Sequence, residues 1–141
     1  MSGCRSSKST IITAADSPWR ATLRGVARLT SGFGIRKDPF TGRPAFHEGI
    51  DLAAKRGTPV HPFQSGVVTY SGWKTGYGKV IQVRHDNGLE SVYGHNAENL
   101  VETGARVTPD TALARVGSTG RSTGSHLHFE VRRDGQPVNP V

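Results

Sequence analysis

The chain has 141 residues, 34% of them hydrophobic and 7% aromatic, which suits one compact domain with a real core and excludes an intrinsically disordered chain. Its net charge of +7 draws polyanions, but thirteen of the eighteen cations are arginines scattered without a basic block or interleaved aromatics, so no nucleic-acid site is expected. Cys4 is the single cysteine, which excludes an intrachain disulfide and a thiolate zinc site, and no apolar run is long enough to span a membrane.

In chain order, residues 1–16 are polar and rich in serine and threonine, and predict a segment that is disordered or only loosely held. Ser17 and Pro18 read as an N-cap followed by a proline at the first helical position. Trp19 and Leu23 fall at i and i+4, and Gly25 is placed to end the turn, so a short helix is predicted over 18–24. This helix closes an N-terminal segment, 1–27, ahead of a domain covering 28–141. From Gly66 onward the pattern predicts strands over 67–71, 79–84, 89–93, 112–117 and 126–133. Asp86-Asn87-Gly88 joins the second and third, its Asn-Gly supplying the positive φ angles of a tight hairpin, and Asp134-Gly135 turns the chain again. The Gly117 to Ser125 stretch lacks a P-loop lysine and runs into a strand, so it reads as a loop feeding that strand and not as a phosphate cradle. These elements predict a mainly β fold, a curved antiparallel sheet, open and barrel-like, with long loops forming a substrate groove. Phe40, Phe46, Trp73 and Tyr77 are the aromatics available to wall that groove. His61 and His85 read as surface residues.

His126 and His128 flank a single leucine beside β-favouring Phe129 and Val131. Extended backbone turns side chains at i and i+2 to the same face, so both imidazoles look one way from one strand. Alone, such a pair on a wet strand face is usually just solvated. Upstream, His47 and Asp51 are four apart and also share a face if the segment is extended. His47, Asp51 and one of the two later histidines would supply two nitrogens and one oxygen, the donor set of an open catalytic zinc site. His47-Glu48 also begins a near match to the helical His-Glu-x-x-His signature, but Gly49, Ile50 and the flanking Pro44, Gly57 and Pro59 leave no room for a helix, and extended backbone points Glu48 away.

With these motifs stand Thr30-Ser31-Gly32-Phe33-Gly34-Ile35-Arg36, Gly57-Thr58-Pro59-Val60, Gly66-Val67-Val68, Tyr93-Gly94-His95 and the run from Gly117 through Glu130. Together they resemble the lysostaphin-type zinc metallopeptidases, a family of peptidoglycan endopeptidases, over about Leu29 to Val141. The resemblance implies Zn2+ held by His47, Asp51 and His128, with His95 and His126 catalytic. His126 is then placed to move the proton of the attacking water, and His95 to help stabilise the oxyanion, although the two roles are exchangeable. It implies cleavage of a peptide cross-link or stem peptide of bacterial peptidoglycan, and the 33–43 segment looks more like members specific for D-alanyl-diaminopimelate bonds than like glycyl-glycine cutters. Asn96 departs from the leucine usual after the catalytic histidine, which bears on local packing. Peptidoglycan, and with it anionic wall polymers, are the expected partners. The location implied is the periplasm, the cell envelope or the outside, with an export signal expected upstream because no basic-then-apolar start is visible. Two other classes compete: a non-hydrolytic peptidoglycan-binding or amidase-activating relative, which would have lost metal ligands that this chain retains, and a basic polyanion-binding module with an incidental metal site.

Overall fold

Apolar alternation becomes the buried rows of an antiparallel sheet. The computed structural model describes residues 18–24, 28–37, 41–120 and 124–140, so the expectation for residues 1–16 lies outside the described residues. The chain enters through α1 (Pro18–Thr22), where the Thr22 hydroxyl donates to the Trp19 carbonyl at 2.6 Å. Trp19 and Leu23 are buried as their spacing predicts. The turn ends one residue before the glycine singled out from the sequence: Arg24 itself takes a left-handed φ of 52°. Its guanidinium donates to the Pro109 carbonyl at 2.8 Å and to Asp110 at 3.2 Å.

Twelve strands follow among the described residues: β1 (Arg28–Ser31), β2 (Gly34–Lys37), β3 (Pro44–His47), β4 (Ile50–Ala53), β5 (Pro59–Val60), β6 (Gly66–Lys74), β7 (Gly78–His85), β8 (Leu89–Asn99), β9 (Arg106–Val107), β10 (Ala114–Val116), β11 (His126–Arg133) and β12 (Gln136–Val138). Ten of them form one antiparallel sheet whose main path runs β1, β4, β11, β8, β7, β6, β9 without closing into a barrel, while β2 and β3 form a separate two-stranded sheet. β11 sits centrally, paired with β4 and then β12 along one edge and with β8 along the other. Its Leu127, Phe129 and Val131 join Ile50 and Leu52 of β4 and Tyr93 of β8 in the core, with the Phe129 ring 5.4 Å from that of Tyr93 and 5.9 Å from that of Phe63. Side chains alternate across a strand, so His126, His128, Glu130 and Arg132 share the opposite face.

The two predicted turns fold differently. Asp134 and Gly135 both have positive φ (52° and 81°), the mirror-image turn whose twist suits a two-residue hairpin. Between β7 and β8 only Gly88 does, at 85°; Asn87 instead accepts from the Leu89 amide through Oδ1 at 3.3 Å, and the loop is three residues long.

His85 overturns its surface reading, since it is only 3% exposed. Nδ1 donates to the Ser65 carbonyl at 3.0 Å and Nε2 lies 2.8 Å from the Ser91 hydroxyl, which donates to the Tyr93 hydroxyl at 2.7 Å. His61 is half-buried, with Nδ1 3.4 Å from the Arg24 guanidinium. Burial pushes the His85 imidazole below its ordinary value of 6.5, partly offset by the Ser65 carbonyl. An unfolded chain therefore takes up a proton before the folded one does, and stability falls as pH drops below about 6.5. His85→Gln is expected to show a shallower acid-side loss of unfolding free energy than wild type; equal slopes in denaturant titrations across pH would show that His85 contributes nothing to it.

Candidate metal centre and its paired histidines

His47 and Asp51 do not lie on one strand, contrary to the sequence expectation. His47 ends β3, the chain bends through Glu48 and Gly49, and Asp51 lies in β4, so the two meet across a bend between two sheets. Gly49 permits this, because a Cβ there would collide with the Phe129 carbonyl oxygen and crowd Glu130. Glu48 is exposed, in keeping with its being turned away. His47 Nδ1 donates to the Gly32 carbonyl at 2.8 Å. A carbonyl only accepts, so Nε2 keeps its lone pair and faces Asp51 Oδ1 at 3.4 Å and His128 Nδ1 at 3.3 Å.

Register supplies the rest. His128 pairs with Asp51 on one side and Gly94 on the other, which brings its Nδ1 to 3.0 Å from Asp51 Oδ1. Its Nε2 lies 2.8 Å from Glu130 Oε2. Two residues back, His126 is half-buried, with Nδ1 2.9 Å from the Gly124 carbonyl and Nε2 3.6 Å from Asp51 Oδ1. Donor atoms of His47, Asp51 and His128 all lie within 4.8 Å of one another.

His95 comes in from β8 with φ of 65°, a left-handed conformation rare for a residue with a side chain and of order 1 kcal/mol or more in cost. Neighbouring segments hold it there. Its amide donates to the Tyr77 carbonyl at 2.7 Å and its Nδ1 to the Thr119 carbonyl at 2.6 Å. Gly78 and Gly120 let these two segments touch, since a Cβ on either would strike the other's backbone. The His95 ring stands 4.7 Å from that of His126 and 5.9 Å from that of His128. Asn96 beside it is fully buried and only half satisfied: Nδ2 donates to the Tyr93 carbonyl at 3.0 Å and to Asn99 Oδ1 at 2.9 Å, whereas its own Oδ1 has no hydrogen-bond partner among the described residues.

The electrostatics suit a cation. Burial acts to raise the Asp51 carboxyl, but hydrogen bonds to His128 and His47 hold it well below the usual carboxylate range. Burial acts to lower His128, yet Asp51 and Glu130 raise it to about 9. A proton on His128 thus occupies the place that a metal would take, and metal binding would expel it. Burial, reinforced by His126 and His128 and opposed by the Thr119 carbonyl, lowers His95 to about 4, so its ring is neutral at neutral pH. Two imidazole nitrogens and one carboxylate, with both imidazoles anchored from behind, are a donor set that fits a divalent metal and leaves a coordination position open.

Glu130 lay inside a motif read from the sequence, yet received no role there. Its position at i+2 from His128 on an extended strand was the available signal. Tyr77, read as a groove wall, packs 5.7 Å from the His128 ring and donates to Glu130 Oε2 at 2.7 Å. Phe46 and Trp73 are 51% and 57% exposed, while Phe40 lies outside the described residues.

Residues 45–140 match the model of peptidase family M23. The chain belongs to that family. Among M23 relatives, the DD-carboxypeptidase/endopeptidase Mpg of Neisseria meningitidis serogroup B is 46% identical over 114 residues, covering 81% of this chain and 26% of that protein. The chain thus spans about a quarter of that curated relative's length. A zinc-containing peptidase from Vibrio cholerae superposes with a TM-score of 0.79 at 35% identity, over 86% of this chain and 38% of that one. The catalytic domain of the antimicrobial peptidase lysostaphin from Staphylococcus simulans gives 0.75 at 28% identity, over 88% and 93%. The mainly β, unclosed antiparallel sheet expected from the sequence is the fold observed. No helix among the described residues is long and apolar enough to cross a membrane.

Proposed function

We propose that this chain is a zinc-dependent endopeptidase domain, covering residues 28–141, that hydrolyses peptide bonds in peptidoglycan cross-links or stem peptides. The observation that carries this reading is the convergence of His47, Asp51 and His128 beside two further imidazoles, His95 and His126, that the donor set does not need. A zinc ion at the three donors would supply Lewis acidity towards a carbonyl and make water a nucleophile at neutral pH. His126, with Nδ1 engaged by Gly124 and Nε2 turned to Asp51, takes the proton of the attacking water and returns it to the leaving amine. His95 is a neutral ring whose Nδ1 hydrogen is committed to Thr119, so Nε2 offers a lone pair and not a hydrogen. That favours a role for His95 in orienting the attacking water over the oxyanion role, which it can serve only once protonated. The likeness to a DD-carboxypeptidase/endopeptidase favours bonds involving D-amino acids, and such a substrate supports a location in the periplasm, the envelope or the surroundings. Digestion of purified peptidoglycan with and without a chelator, with mass analysis of the products, tests both activity and bond. Release of no new peptide ends by the zinc-loaded protein would leave the non-hydrolytic reading.

The +7 charge gives a separate expectation. Exposed arginines attract anionic wall material over distances that a Debye length of about 8 Å at physiological ionic strength cuts short, whereas chemistry among buried groups is screened far less. Raising salt is expected to weaken adsorption to sacculi much more than cleavage of a small neutral peptide. Equal sensitivity across a salt series would show that the charge plays no part in finding substrate.

A further inference from the structure

We propose that Glu130 is a positioning residue for His128, held in that role by Tyr77 and Arg132; this rests on the reading of His128 as a metal ligand. Glu130 is 1% exposed, and a carboxylate tolerates such burial only when its oxygens are engaged. Both are. Oε2 lies 2.8 Å from His128 Nε2 and accepts from the Tyr77 hydroxyl at 2.7 Å. Oε1 accepts from Arg132 Nε at 3.0 Å and Nη2 at 2.7 Å, and Nη2 also donates to the Tyr77 hydroxyl at 3.1 Å.

The consequence for His128 is geometric. Ionised Glu130 can only accept, so the hydrogen between them sits on His128 Nε2, and Nδ1 is the atom that turns its lone pair towards Asp51 Oδ1 and His47 Nε2 once the ring is neutral. The same bond fixes the ring plane. Arg132 and Tyr77 act one step further out: between them they claim the remaining capacity of both oxygens, so that the carboxylate has a single orientation behind the ring. A bare ion pair of Glu130 with Arg132 closing the sheet face would not require Oε2 to be placed behind an imidazole and capped by a phenol. The β11 face thus reads, two residues at a time, as proton-transfer group, ligand, ligand support and support anchor.

Zinc affinity, measured by competition with a chelator of known strength, is expected to fall roughly 10–100-fold in Glu130→Gln. In the zinc-loaded protein, the proton resonance of His128 Nε2–H is expected far downfield in wild type and upfield of that in the variant, a shift that mere loosening of the sheet would not produce. Tyr77→Phe keeps the carboxylate and the ring packing, and is expected to move both readouts the same way by less; it decides the matter if Glu130→Gln does not fold. Wild-type affinity with an unmoved Nε2–H resonance, in folded Glu130→Gln or failing that in Tyr77→Phe, would overturn the positioning role. Asp51→Ala separates this from the ligand reading: loss of zinc there, with full affinity and an unmoved resonance in Glu130→Gln, overturns the positioning role alone, whereas wild-type affinity in Asp51→Ala overturns the ligand reading beneath it.

Discussion

His95→Ala and His126→Ala are each expected to slow peptidoglycan hydrolysis by about a hundredfold or more while metal content stays at its wild-type level. Neither ring belongs to the three-donor group, and each is held from behind by a backbone carbonyl, Thr119 or Gly124, that a water can satisfy after truncation. The chemistry, however, has no other imidazole to use: His61 and His85 are engaged with Arg24 and with Ser65 and Ser91. His95→Ala carries one complication, because it leaves a side chain with poor tolerance for a φ of 65° in place. His95→Asn is the gentler companion, since asparagine visits this conformation more readily and still lacks the imidazole. Product release from sacculi, metal analysis and thermal melting read rate, loading and fold separately. Wild-type rates in both metal-loaded variants would remove the catalytic reading and favour a binding module.

Asp51→Ala is expected to take the protein from about one zinc per chain to almost none, and hydrolysis with it. Asp51 Oδ1 is the common point of the site, 3.4 Å from His47, 3.0 Å from His128 and 3.6 Å from His126. Removing it leaves buried imidazoles of His47 and His128 facing each other at 3.3 Å with no anion between them. Two neutral nitrogens lack the negative charge and the third ligand that the full donor set offers a divalent cation, so they hold it far more weakly. His47→Ala and His128→Ala are expected to lose zinc as well, and a chelator should silence the wild type until zinc is restored. Full occupancy in all three variants would sink the ligand assignment.

Where the chain obeys simple alternation, sequence and structure agree closely. β11 runs from His126 to Arg133 as predicted, because its two-residue period separates Leu127, Phe129 and Val131 from the polar face without a break. β6 and β8 extend to Lys74 and Asn99, beyond their predicted ends, because glycine and polar residues carry no periodic signal and pairing with β7 and β10 decides their length. His47 and Asp51 were legible as partners but not as members of two sheets, since the bend at Gly49 answers to the distant backbone of Phe129. His85 was hidden for a similar reason: only the tertiary positions of Ser65 and Ser91 make its burial affordable. The left-handed turn at His95 is likewise imposed by Tyr77 and Thr119, far away in sequence.

One donor stands apart from the others. Asp51 and His128, together with His95 and His126, ride on the ten-stranded sheet, whereas His47 closes the small β2–β3 ribbon, whose Ile35 and Phe46 are mostly exposed. An ion shared by His47, Asp51 and His128 would therefore be a rivet between two sheets that also touch through the Phe46 ring and Phe33, which packs on the core. Stripping it should leave the large sheet as firm as before and release the ribbon, so that amide exchange quickens over β2 and β3 while β7, β8 and β11 keep their protection. The metal would then supply reactivity and also fix one wall of its own cleft.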